Sequence, residues 1–284
     1  MLILENDQIS LRVAPSGAEM QSLILRETGQ EYLWQADPAW WPRRAPVLFP
    51  IVGRLREDQY QHGGQPYRLT QHGFARDRVF ESLPGGWFRL VSDAQTRAVY
   101  PFEFELRIGY ALEASTVTVT YEVHNTGEGI LPFSIGAHPG FTCPLPPDTD
   151  MQAYDLVFSQ PETAARHLLT GGLRNGDTEP VLTASDRIPL SPAMFDRDAL
   201  VFQELASDWT EIRSRHTGHY VRVSLTGFPY LGIWTKPGAP FVCIEPWQGV
   251  ADATEATGEL TEKEGIRLLM PGQVHTCGFT ITIG

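Results

Sequence analysis

Four polar positions in this chain sit in contexts that could make them chemically active. Phe241-Val-Cys-Ile-Glu245-Pro-Trp247 ends an apolar run on a carboxylate. Burial there is costly unless the group is paired. It would also lift the carboxyl above its reference pKa of about 4.3, toward the range of a general base near neutrality. Ser134-Ile-Gly136-Ala-His138-Pro139-Gly140-Phe141 holds an imidazole on a stiff loop between glycine and proline, where it can be aimed. Gln71-His72-Gly73-Phe74-Ala75-Arg76 sets a second imidazole beside a glycine that permits a tight turn. Pro46-Val-Leu-Phe-Pro-Ile-Val-Gly-Arg54 ends eight uncharged residues on a guanidinium, a fork of donors suited to hydroxyls or a carboxylate. A carboxylate and an imidazole together can take one proton while giving another.

Each position also has a plain structural reading. Arg54 could simply reach solvent at the end of a buried strand. Either histidine could satisfy local hydrogen bonds. Trp247, close to Glu245, could stack on the apolar face of a sugar ring; equally, Trp34, Trp40, Trp41, Trp234 and Trp247 could all be core. The chain carries no phosphate-cradling Gly-rich Lys-Ser/Thr loop, no Gly-x-Ser-x-Gly elbow, no dinucleotide fingerprint and no paired-cysteine zinc set. No cofactor or metal is expected. His216 and His219 lie three apart on an apparent strand, facing opposite sides, with no carboxylate trio.

The elements that must carry these residues read as strands. In Thr116 to His124, Val117, Val119, Tyr121 and Val123 share one face, and Thr118, Thr120 and Glu122 the other. Period-two alternation of β-branched and aromatic residues predicts a half-buried strand. Similar runs occur at 9–13, 22–25, 106–112, 220–225, 231–234, 241–245 and 276–283. Turn signals separate them, among 26 glycines and 22 prolines. Short helical turns are expected at 37–41 and 163–168, and long loops at 143–150 and 170–180. Many short strands with regular turns predict an all-β antiparallel sandwich with few short helices, residues 1–284 forming a single domain.

Composition narrows the function. At 284 residues with 42% hydrophobic and 20% charged positions, the chain is an ordinary globular one. A net charge of −12 argues against nucleic acid and against anionic membrane surfaces as partners. Cys143, Cys243 and Cys277 show no disulfide spacing, so free thiols in a reducing compartment are expected. No secretory leader or membrane-length apolar run is legible, which makes the cytoplasm the expected location.

Taken in order, these motifs resemble the aldose 1-epimerase (galactose mutarotase) superfamily, and its LacX-like branch in particular. The residues that carry the resemblance are Leu48-Phe-Pro-Ile-Val-Gly-Arg54-Leu, Gln71-His72-Gly-Phe-Ala-Arg76-Asp, Gly136-Ala-His138-Pro-Gly-Phe and Ile244-Glu245-Pro-Trp247. Gly17-Ala-Glu-Met-Gln-Ser-Leu and Asp198-Ala-Leu-Val-Phe add to them. The match runs from about residue 8 to residue 283, and its specificity lies in the ordered set. The resemblance implies a large β-sandwich (a supersandwich of curved sheets) with a sugar cleft, Glu245 as general base, His138 as general acid and His72 as a catalytic partner at the ring oxygen. Arg54, Asp198, Arg76 and Trp247 would bind the sugar. Asp196 fits the local pattern as well as Asp198; Asp198 is the choice.

The implied activity is interconversion of α and β anomers of a hexose by a cytoplasmic isomerase of carbohydrate metabolism, monomer or homodimer. A hexose-6-phosphate 1-epimerase is the alternative, with Arg43, Arg44, Arg54, Arg76, Arg78 and Lys236 as available cations. A non-catalytic carbohydrate-binding protein on the same fold is another; it would not need Glu245 and His138 together. A lyase or hydrolase would want a second carboxylate beside Glu245.

Overall fold

A computed structural model describes residues 1–284. It is 51% strand and 9% helix, an all-β antiparallel sandwich as the alternation predicts. A 15-stranded sheet dominates. Its path begins at Val47–Leu48, continues through Ile135–Ala137, Phe241–Gln248, Tyr230–Trp234 and Leu200–Gln203 to Tyr154–Thr170, and ends at Glu81–Leu83. A four-stranded N-terminal sheet, Leu2–Glu5 to Gln30–Glu31, adds Ile9, Leu11, Val13 and Leu23 to the main core. No helix is long and apolar enough to cross a membrane.

Thr116–Asn125 shows why these segments are strands. Every second residue is buried, with Val117, Val119, Tyr121 and Val123 all turned into the core. Each such side chain contributes roughly 1.5–3 kcal/mol relative to exposure. The strand pairs with Phe104–Glu113 and Val274–Ile283, so a one-residue slip would turn the whole apolar set outward.

Phe241–Gln248 is buried along its whole length. Val242 and Ile244 belong to the large sandwich core. Phe241 and Cys243 join an aromatic layer with Trp34, and Trp247 joins a third cluster. One strand therefore separates the structural core from the layer in which the cleft is built.

Three local expectations need correction. Residues 163–168 are not helical: they lie inside the strand Tyr154–Thr170. Residues 170–180 are not a loop, because Leu173–Pro189 pairs back on that strand to form a long hairpin closed by Gly171 and Gly172. The ladder carries several register shifts, and bulges break the period-two pattern that would have announced it. His216 and His219 fall in the turn between Trp209–Ser214 and Tyr220–Ser224, not on a strand. The 143–150 stretch contains no regular element, as expected. All three cysteines are free. One helix, Ala94–Val99, had gone unread; Asp93 and Thr96 cap it reciprocally.

Candidate active site

The seven residues singled out by sequence, Arg54, His72, Arg76, His138, Asp198, Glu245 and Trp247, all line one cleft of about 500 Å³. They come from segments far apart in the chain. Glu245 and Trp247 share a face of Phe241–Gln248 because they are two residues apart on a strand. Gly232 lies across the ladder from Glu245, and Gly136 across from Trp247. A Cβ on Gly232 would stand 2.5 Å from the Trp247 ring, and one on Gly136 2.8 Å. The two glycines thus make a flat backbone shelf on which the indole lies.

His138 follows Ile135–Ala137, where the chain breaks before Gly140–Thr142 pairs with the same strand. Its backbone N–H donates to the Pro46 carbonyl, and the Ile244 N–H to the Pro139 carbonyl. This pins the imidazole against Glu245, with Nε2 3.2 Å from Oε2. Trp41 stacks on the imidazole at 4.8 Å between centroids. The Trp34 indole N–H in turn donates to the Trp41 carbonyl at 2.9 Å.

His72 has φ +68°, and the next residue, Gly73, has φ +70°. A left-handed non-glycine residue is uncommon and is found often at functional sites. Asp198, with φ +75°, is a second one in the same cleft. The His72 backbone N–H donates to the Gly53 carbonyl at 2.9 Å. In return the Gly53 N–H donates to His72 Nδ1 at 3.1 Å. An Nδ1 that accepts leaves the proton of a neutral imidazole on Nε2. His72 is therefore held as a donor through Nε2; the Gln71 Nε2 that stands 3.3 Å away is itself a donor and does not accept from it.

Burial sets the protonation of the centre. It drives the Glu245 carboxyl well above the usual range, and the nearby Asp198 charge adds to this, while the Trp247 N–H opposes it. His138 is pushed down to about 3 by burial and then by the Arg76 guanidinium. His72 is likewise held well below its ordinary value by burial first and by His138 next. Arg76 falls to about 10, through burial and the neighbouring Arg43. The Arg76 Nε, His138 Nδ1, Glu245 Oε2 and Trp247 Nε1 are all buried without a well-formed hydrogen bond, although Oε2 stands 3.2 Å from His138 and near the Trp247 N–H. Orphaned buried groups are rare in folded proteins, and four converging on one cleft indicate a polar ligand.

Arg54 is more engaged than its sequence context suggested. Its Nε and Nη2 donate to Asp58 at 2.8 and 2.9 Å, and its Nη1 donates to the Gly171 carbonyl at 2.9 Å. It lines the cleft while tying down the hairpin end, Gly171 and Gly172, which forms part of the rim. The adjoining wall at Val250 and Ala251, packed against Gly53, is fixed through carbonyls that accept from Lys263 and Arg174.

Of the other expected cations, none lines the cleft. Arg43 pairs with Asp77 at 2.8 Å, Arg44 bonds Gln21, and Arg78 pairs with Asp93. Lys236 donates to the Ala39 and Trp40 carbonyls and borders a neighbouring depression, together with Asp196. Asp198 reaches both depressions, so of the two aspartates it is the one in the cleft. The residues missed by sequence are Trp41, Trp234, Gln71 and the hairpin end. Tryptophan spacing alone does not separate cleft from core.

A family model described as aldose 1-epimerase matches residues 1–276. The chain is 32% identical to the chromosomal Protein LacX of Lactococcus lactis subsp. lactis, over 99% of this chain and 98% of that protein. It is similar to the structure of a galactose mutarotase related enzyme from Lactobacillus acidophilus, with a TM-score of 0.94 and 35% identity over 100% of this chain and 97% of that one. A galactose mutarotase-like protein from Lactobacillus casei superposes with a TM-score of 0.92 at 31% identity, over 100% of both chains.

Proposed function

The chain belongs to the aldose 1-epimerase family, and on that premise we propose that it interconverts the α and β anomers of a hexose by acid–base ring opening and closure. The observation that carries this reading is the buried contact between Glu245 and His138 at 3.2 Å. With the carboxyl raised and the imidazole lowered, the two share one labile proton over a wide pH range, and the proton belongs to the pair. Burial favours the uncharged arrangement at rest. A sugar hydroxyl donating to Glu245, and a ring oxygen accepting from His138, favours carboxylate and imidazolium instead.

In that form Glu245 takes the proton of the anomeric hydroxyl while His138 gives one to the ring oxygen. The C1–O5 bond breaks and C1=O1 forms. After rotation about C1–C2 the roles reverse and the ring closes on the other face. The pair ends with the proton count it began with, and no electrons or groups enter or leave. Each positioned group is worth about 10²–10⁴-fold. His72, a fixed donor, supports the ring oxygen. Arg54, Asp198 and Arg76 hold hydroxyls, and the Trp247 indole offers an apolar surface.

One observation favours a phosphorylated hexose as a second reading: Arg76 lines the cleft largely buried, its Nε 3.8 Å from Asp77 but without a hydrogen bond, and the Arg43 charge adds to its own. Polarimetry of fresh α-D-glucose, α-D-galactose and, in a coupled assay, α-D-glucose 6-phosphate separates the substrates. Wild type should speed relaxation and Glu245→Gln should not. Binding without acceleration would make the protein a carbohydrate binder; acceleration by both proteins would remove Glu245 from the mechanism.

A further inference from the structure

Cys243 lies two residues before Glu245 on the same face of the same buried strand, across the ladder from Gly140. Cys243, Glu245 and His138 each present a ligand atom within 4.8 Å of the other two, and all three residues are buried. A Cβ on Gly140 would lie 3.4 Å from the thiol, so the glycine leaves space beside it. Glu245 Oε2 is buried without a well-formed hydrogen bond and faces His138 Nε2 at 3.2 Å. From this juxtaposition we propose that His138, Cys243 and Glu245 form a site for a zinc-class divalent cation, whose binding blocks the acid–base pair.

The donor set selects the metal. One thiolate, one imidazole and one carboxylate suit Zn²⁺ and its chemical relatives, while Mg²⁺ and Ca²⁺ want oxygen alone. Zn–S near 2.3 Å and Zn–N or Zn–O near 2.0–2.2 Å call for donor separations of ~3.4–3.6 Å in a tetrahedron. The Glu245–His138 pair already stands at 3.2 Å, so the thiol has to close in by about 1 Å. Three protein ligands leave a fourth position open; of the three, Glu245 and His138 line the cleft and Cys243 does not.

Charge balance also fits. The cation displaces the thiol proton and the shared proton of the pair, releasing two protons to solvent. Two anionic ligands then cancel the double positive charge. The loaded centre is neutral, so burial does not penalise it as it would a lone ion. The charged and titratable groups facing it are Asp198, Arg76 with Arg43 behind it, and His72. Metal binding stands on the geometry alone; its inhibitory effect rests on the epimerase reading. With both halves of the pair coordinated, neither the anomeric proton nor the ring oxygen can be served.

The test is titration of metal-free, full-length protein with Cd²⁺, read by the ultraviolet thiolate-to-metal band, and with Co²⁺, read in the visible. One equivalent should give the band in wild type and slow mutarotation in competition with sugar. Loss of a ligand in Cys243→Ala or Cys243→Ser should weaken binding beyond the ~10–100-fold that outer partners alone are worth, and Glu245→Gln should weaken it while keeping the band. Inhibition is scored in wild type and the Cys243 variants, each against its own metal-free rate, and binding alone in Glu245→Gln, with circular dichroism to verify folding. No band in wild type, or a band unchanged in both Cys243 variants, would overturn the site. A band in a protein that accelerates no sugar would keep the site and defeat the epimerase reading. Fast mutarotation with no band would do the reverse.

Discussion

Replacing His138 by asparagine should make the protein less sensitive to acid, and the size of the effect follows from the burial of the ring. The imidazole titrates at about 3 in the folded chain, against an ordinary value of 6.5. Between those values the unfolded chain binds a proton here that the folded chain does not. A depressed folded-state pKa means stability that is complete above 6.5 and drains away as pH falls toward 3. At about 1.36 kcal/mol per unit, the loss from this residue is about 1 kcal/mol at pH 5.5 and about 3 kcal/mol at pH 4. That is a large share of the ~5–15 kcal/mol typical of a native protein. Urea unfolding at pH 7.5, 5.5 and 4.0 measures it. Subtracting the pH-dependent loss of His138→Asn from that of wild type cancels the groups that do not touch His138 and leaves its coupling to Glu245 and His72. The difference should grow with the stated magnitudes. Parallel profiles would mean that His138 titrates as an ordinary imidazole. A variant that loses more than wild type would mean that the pair rests as imidazolium and carboxylate, refuting the neutral resting arrangement.

Two further outcomes follow from the cleft walls. Asp58→Asn keeps the shape but releases Arg54 from its bidentate partner; amide exchange at residues 171–173 should speed up and KM rise several-fold with kcat little changed. Because the ion pair is well exposed, stability should move by less than about 1 kcal/mol. Gly232→Ala drives a methyl into the Trp247 indole, which should cost about 1–3 kcal/mol by overpacking and shift tryptophan fluorescence. An unchanged melt and spectrum would mean that the indole is not seated on Gly232.

The sandwich was legible wherever one strand face meets the core and the other meets solvent. Thr116–Asn125 announces itself this way. The site residues were legible for a different reason: Arg54, His138 and Glu245 are polar points in apolar or glycine-proline surroundings, a placement that a fold tolerates where a ligand supplies partners. The hairpin of Tyr154–Thr170 and Leu173–Pro189 was not legible, because bulges shift its register and scramble the alternation. Trp41 and Trp40 are adjacent and chemically identical. That one stacks on His138 while the other packs beside Lys236 is decided by the chain's path, not by residue type. Asp58 gave no signal, since its importance lies in which arginine it meets.

The pairing of His72 with Gly53 has an evolutionary consequence. The proton on the ring's Nε2 is enforced by a main-chain amide, which every residue except proline possesses. A point substitution can alter or delete the side chain that orients an imidazole in most proteins; at Nδ1 of His72 there is none to delete. Proline at position 53 would remove the amide, yet its ring demands a negative φ where the backbone has +75°. Any other side chain at position 53 would meet the Ala251 backbone at 2.4 Å, so the donor direction of His72 depends on glycine there and on no neighbouring side chain's chemistry. Sequence change elsewhere can reshape the cleft while this hydrogen bond keeps pointing the same way.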